Sequence, residues 1–405
     1  MKFSVPHPPS RRLLPASPGW RRLFVVRLFL KSYFFVPYLV LYAEHLGFSL
    51  GLLLTVEAVF CILIVVFDLP AGHLADRIGP RQALLAGAFL EGVASLLLGG
   101  LANQAIFWIV QPFFAAAAAL TQGADAGLAG LILRHDKALE DFEQGEQLFQ
   151  KLALVWTAAV YGLASALSLV SLQLPFIATG IAQLLCVVGL FTVPNLRRTS
   201  TFPADLGDDR RSLRRRAADM ITVIHTSAGL RMDLLAMVAA GTGFSVLLYF
   251  LPFFLIASGS SASAVGVLLA VVALAAALVV HGLRPGLDLR VVGAIAVIAA
   301  ILLGVTVLPI VVIAAICLQA VKARLLPRFR QRLLREMSEC GEATAMSVVS
   351  TTTTIGFAVV APALGVLTSV LSLTGLAAVT GALFLFATLT MSIHLRYGRS
   401  LHEPF

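Results

Sequence analysis

The sequence predicts an all-α membrane protein, with twelve transmembrane helices in two six-helix halves. Three observations carry that expectation. Hydrophobic residues make up 59% of the 405 and charged residues only 13%, whereas an ordinary soluble domain is about 25% charged. The apolar residues are gathered into runs, and about 20 such residues cross a bilayer core as a helix. The runs fall into two sets of six, on either side of an Arg-rich stretch at the middle of the chain. Helices are expected because each satisfies its own backbone in lipid. A disordered chain, a collagen and most soluble enzymes are already excluded.

Residues 1–22 hold five prolines and four arginines and read as a loose cytosolic tail. A six-helix bundle is expected over 23–194, with runs beginning near 23, 50, 82, 105, 148 and 174. The first run is too long for a cleaved leader and lacks a small-residue cleavage pattern. Residues 195–231 carry eight arginines and read as a cytosolic linker. A second bundle is expected over 232–394, with runs beginning near 232, 263, 290, 309, 343 and 372, and residues 395–405 form a cytosolic tail. Two equal bundles about a polar linker is a parallel-repeat layout.

Charge gives the orientation. With the N-terminus in the cytosol, all 30 Lys and Arg fall in or beside the cytosolic segments, and the six outer loops hold none. This positive-inside pattern places both termini in the cytosol. The net charge of +9 therefore reads as membrane topology, not as a nucleic-acid surface. A twelve-helix scaffold or sensor that transports nothing would pass the same test.

After the second run the chain reads Asp68-Leu-Pro-Ala-Gly72-His-Leu-Ala-Asp76-Arg77-Ile-Gly79-Pro80-Arg81. The glycines permit a tight reversal, Asp76 can face a helix N-terminus, and Arg77 and Arg81 can bridge to carboxylates. This segment, at the end of the second of twelve spans, resembles the 2–3 loop of the major facilitator superfamily, in a bacterial twelve-helix branch. Asp68, Gly72, Asp76, Arg77, Gly79 and Arg81 match position by position, and Pro80 departs from a commonly basic place. Gln122-Gly-Ala-Asp125-Ala resembles a helix-4 motif of that branch. Gly341-Glu342-Ala-Thr-Ala-Met-Ser347 resembles the start of helix 11, with Glu342 where an arginine is usual. The resemblance implies a multi-pass transporter of the bacterial cytoplasmic (inner) membrane. It also implies a gating role for this loop, which in the family holds the halves together in the outward-facing state. On that basis Glu342 is expected to pair with Arg77 or Arg81. The fifth span lacks the proline of many drug antiporters.

Charged residues in lipid are costly and usually functional. Glu57, Glu91 and Asp125 lie within the first six runs, with Asp68 near the cytosolic edge. Counted along straight helices, Lys31 and Asp125 reach equal depth, about 12–13 Å from the cytosolic edge at 1.5 Å per residue, which makes an ion pair possible. At 100° per residue, Trp108, Gln111, Gln122 and Asp125 share one face of the fourth span. Trp156, Tyr161 and Tyr249 supply further polar tips, and with Lys31, Glu57 and Glu91 they complete the expected substrate-binding and coupling set. Interhelical packing is the plainer use of such groups.

Enzyme chemistry finds no footing. There is no Gly-x-x-x-x-Gly-Lys-Ser/Thr loop for ATP, no Gly-x-Ser-x-Gly elbow and no paired histidines for zinc. The four cysteines share no ligand or redox spacing, so neither a metal nor another cofactor is expected. The expected function is secondary transport of a small organic solute by a monomer in the lipid bilayer. Efflux coupled to protons is the leading form, and proton-coupled uptake of a metabolite is the alternative.

Overall fold

The computed structural model describes residues 17–121, 124–136, 142–196, 228–282, 288–336, 342–367 and 370–400. The first span is built from α1 (Pro18–Phe29) and α2 (Leu39–His45), with a 3-10 turn at Val36–Tyr38 between them. Spans two and three are α3 (Leu50–Ile78) and α4 (Pro80–Leu101). The fourth comprises α5 (Gln104–Thr121) and α6 (Ala124–His135); α7 (Phe142–Ser168) and α8 (Leu174–Phe191) complete the first half. The second half runs α9 (Ala228–Ala257), α10 (Val265–Gly282), α11 (Leu289–Leu303), α12 (Leu308–Glu336), α13 (Glu342–Leu367) and α14 (Leu373–Ser400). Among the described residues nine stretches are long and apolar enough to cross a membrane, and Arg290–Leu303 and Thr354–Leu367 are shorter apolar helices. With the divided first span this gives twelve crossings.

Local chemistry sets the ends. The Ser17 hydroxyl accepts the Trp20 N–H, with Pro18 at the first helical position, where its missing N–H costs nothing. Ser49 caps α3 through the Leu52 N–H, and Asp288 caps α11 through that of Arg290. Gly79 has φ +96° and serves both as the end of α3 and as the cap of α4, so the 2–3 reversal takes a single residue.

Several helices outrun their apolar stretches. Helix α1 starts at Pro18, inside the segment expected as a loose tail, α9 starts inside the expected linker, and α12 continues to Glu336. Lys322 and Arg324 lie within the stretch Leu308–Leu325, which is long and apolar enough to cross a membrane. A helix keeps its backbone bonded through the headgroup layer, where long basic side chains reach water, so hydropathy alone draws its ends too short.

The first span departs most from expectation, because between Leu30 and Phe35 the helix is interrupted. Irregular backbone at membrane depth needs partners, and α8 supplies them. The Phe34 N–H donates to Thr179 Oγ1 at 3.0 Å, and Gln183 Nε2 donates to the Leu30 carbonyl at 3.3 Å. From α7, Trp156 Nε1 donates to Ser32 Oγ at 3.0 Å.

Packing repeats between the halves. In the first half, span three packs on six and four, span two on four, and span one on six; in the second half, nine packs on twelve and ten, eight on ten, and seven on twelve. The halves meet where α3 lies along α13 and α7 along α10. These two seams exchange under the same pairing of spans, as a pseudo-two-fold axis requires.

Candidate functional site

A cavity of about 270 Å³ lies between the first half and α9. Its polar lining is Tyr33 from the interrupted first span, Glu57 from α3, Glu91 from α4, Gln111 from α5 and Tyr249 from α9; Phe35, Phe60, Phe107, Phe114 and Phe176 are among its apolar walls. Helix counting puts Glu57, Gln111, Tyr249 and Glu91 about 10–15 Å from the end of the bundle opposite the chain termini. Glu57, Glu91 and Gln111 are 5%, 7% and 5% exposed. Burial on that scale requires partners. The Tyr249 hydroxyl donates to Glu57 Oε2 at 2.7 Å, and its ring stacks on Phe357 of α13 at 5.8 Å. One hydrogen bond thus ties span two to span seven across the cavity. Tyr33 and Glu91 face the same cavity.

Beyond the cavity, toward the end opposite the termini, a polar cluster joins the two halves. The Tyr38 hydroxyl donates to the Ser263 carbonyl at 2.8 Å and accepts from the Gly266 N–H at 3.2 Å; Ser165 Oγ lies 2.8 Å from it and accepts from the Val267 N–H at 2.9 Å. This cluster joins spans one, five and eight. At the other seam, a Cβ on Gly51 would lie 2.9 Å from the Gly365 carbonyl oxygen, so α3 and α13 touch there backbone to backbone.

Toward the termini lies a second polar cluster. Arg27 on α1 has a side chain 3% exposed and bonds Asp125 Oδ2 on α6 at 3.3 Å. It also grips Glu146 on α7 with both terminal nitrogens, Nη2 to Oε2 at 2.9 Å, and stacks over the Phe149 ring at 4.0 Å.

Residues 24–323 match the model of the Major Facilitator Superfamily. The chain belongs to the major facilitator superfamily. No curated protein sequence matches it significantly. Solved structures share the fold over nearly the full length. The nucleoside transporter NupG is 14% identical with TM-score 0.67, over 96% of this chain and 100% of that one. A POT family transporter in complex with 5-aminolevulinic acid is 15% identical with TM-score 0.71, over 96% and 99%. A D-xylose-proton symporter is 16% identical with TM-score 0.70, over 93% and 96%. Family and fold make this superfamily member a multi-pass membrane transporter and not an enzyme.

The superfamily's loop motif is only partly visible in contact. Gly79 makes the turn, Asp68 is half-buried and Arg77 is exposed. Arg81 donates to the Leu190 carbonyl at 2.8 Å and the Phe191 carbonyl at 3.2 Å, capping the C-terminal end of α8. Arg81 therefore serves its own half. Gly72 and Asp76 lie on α3 and Glu342 starts α13, but the side chains of Asp76 and Glu342 lie outside the described residues, as does Gln122.

Of the residues singled out in the sequence, Glu57, Glu91, Gln111 and Tyr249 come together. Asp125 does not pair with Lys31 as expected. Its cation is Arg27, because the break after Phe29 invalidates a depth count along a straight helix. Lys31 is exposed and sits in the break itself. Trp108 packs against the apolar cluster around Phe48 and Phe107, outside the cavity lining. Trp156 supports the broken span, and Tyr161 lends its carbonyl to the α7–α10 seam, where a Cβ on Gly266 would meet it at 2.5 Å. Sequence reasoning missed Tyr33, Tyr38, Arg27 and Glu146 as site residues. The available signal for Glu146 was its place two residues before the apolar run that begins near 148.

Proposed function

We propose that the chain is a proton-coupled efflux carrier. It moves a small organic solute out across the cytoplasmic membrane, as a monomer with both termini in the cytosol. The observation that carries this reading is the cavity between the halves with Glu57 and Glu91 buried in its wall. A scaffold has no use for two carboxyl groups held at membrane depth and facing empty space. Rocking of the halves would expose the cavity alternately, and protons on Glu57 and Glu91 would bias the cycle. With the termini cytosolic, the Tyr38 cluster closes the cavity toward the outside. The alternative direction, uptake, draws support from the similarity to a D-xylose-proton symporter.

Purified protein in vesicles, given imposed pH or sodium gradients and a panel of amines, sugars, nucleosides and dipeptides, tests the reading. Solute movement that follows the pH difference and fails in Glu57→Gln is expected. Movement that ignores the pH difference and follows sodium overturns proton coupling. Solute accumulating against the outward direction under an inward proton gradient overturns efflux in favour of uptake.

A further inference from the structure

We infer that the solute is a small organic cation, a protonated amine carried on an apolar or aromatic body. This deepens the proposed transport reading and rests on it.

The argument begins with what the cavity offers. Hydrogen-bond capacity in its wall is weighted toward acceptors. Glu57 receives the Tyr249 proton on Oε2, which leaves Oε1 for a ligand. Gln111 spends one amide hydrogen on the Phe107 carbonyl at 3.1 Å, which leaves it one N–H and its acceptor oxygen. The Glu91 carboxylate is acceptor-only when ionised. An alkylammonium is the complement, since it has up to three donors and no acceptor.

Charge points the same way. Among the described residues no Lys, Arg or His lines the cavity. Lys31 is exposed, lies outside the wall and makes no ion pair with Glu91, so among the described residues neither carboxylate is matched by a cation of the chain. Arg27 is already matched by Asp125 and Glu146. The aromatic faces add to this, because a cation within about 6 Å of a ring is attracted by its quadrupole. A sugar or a nucleoside, with hydroxyls all round, would meet mostly apolar wall and leave donors and acceptors unpaired. An anion would meet two carboxylates. The volume sets the size: about 270 Å³ is below the usual 300–1,000 Å³ of drug-sized pockets, so one ring and a short chain fit.

Binding of phenethylammonium, neutral phenethyl alcohol and anionic phenylacetate to the purified full chain tests the inference. The ammonium should bind about tenfold or more tighter than either relative, the worth of one charged hydrogen bond. Glu91→Gln should remove that preference, and Glu91→Asp should restore part of it. Thermal unfolding without ligand checks that each variant is folded. If the alcohol or the carboxylate binds as well as the ammonium, if none of the three binds, or if Glu91→Gln keeps the preference, the substrate class is wrong. Transport is read separately in vesicles. Glu91-dependent ammonium binding with no solute crossing under any gradient would uphold the cation site and defeat the transport reading. Movement of neutral or anionic solutes but not the ammonium would do the reverse.

Discussion

Arg27 shows how a single side chain organises its neighbourhood. It reaches from the first span to carboxylates on the fourth and fifth, and its guanidinium lies over Phe149. A buried charge left without its partner typically costs about 3–5 kcal/mol, so Arg27→Met should lower the melting temperature of the purified protein sharply. Arg27→Lys should also be destabilising, because an ammonium cannot reproduce the bidentate grip on Glu146. Asp125→Asn with Glu146→Gln in the Arg27→Met background should recover much of the loss. An Arg27→Met protein as stable as the parent would mean that the cluster is not holding the three spans. At this scale the sequence was legible where a charge interrupts an apolar run, as at Glu57 and Glu91. It was not legible where the functional atom hides on an amphipathic side chain, as at Tyr33, or just outside the run, as at Glu146. The pairing of Asp125 could not be read either, since it depends on where a helix stops.

That stop is an element-scale feature. Neither glycine nor proline occurs between Leu30 and Phe35, but Pro37, two residues on in the 3-10 turn, has no N–H to return to the Tyr33 carbonyl. The break is tolerated because another helix takes up its loose backbone groups. Thr179 Oγ1 accepts the Phe34 N–H while its own hydroxyl donates to Pro175 at 2.9 Å, and Gln183 reaches the Leu30 carbonyl. Leaving a buried polar group unpaired costs about 1–3 kcal/mol. Thr179→Val and Gln183→Leu should therefore each lower thermal stability, and Thr179→Ser should not. A rise in stability on Thr179→Val would show that the first span gains by healing into one helix. The outlines of most other helices were legible, because hydropathy marks their lipid-facing parts. Their ends were read too short, because the helices continue through charged residues such as Lys322 and Arg324.

For the whole molecule, the twelve-span count and the two-fold plan followed from run spacing and charge placement alone. Where the halves would be joined did not, since that depends on contacts between residues far apart in the chain. Tyr38 meets Ser165, Ser263 and Gly266, and Gly51 meets Gly365. Two conformers of a carrier differ by only a few kcal/mol, and one hydrogen bond is worth about 1 kcal/mol net. Tyr38→Phe should therefore raise the population open at that end about fivefold. The measurement is alkylation of Leu248→Cys on the cavity wall by an impermeant reagent applied from that face, with Cys61, Cys186, Cys317 and Cys340 replaced by serine. An unchanged rate would show that the Tyr38 cluster does not hold the end closed.

A carrier also fails if its cargo binds too well to leave. The Tyr249 phenol is a tethered competitor for Glu57, held at an effective concentration fixed by the fold and not by the solution. A solute donor that takes Oε2 must first displace the phenol, and the phenol stands ready to take the place back. The cavity thus discounts its own affinity, and the discount hastens release. Because the tether runs from one half of the molecule to the other, each exchange at Glu57 also makes or breaks a bond between the parts that must move.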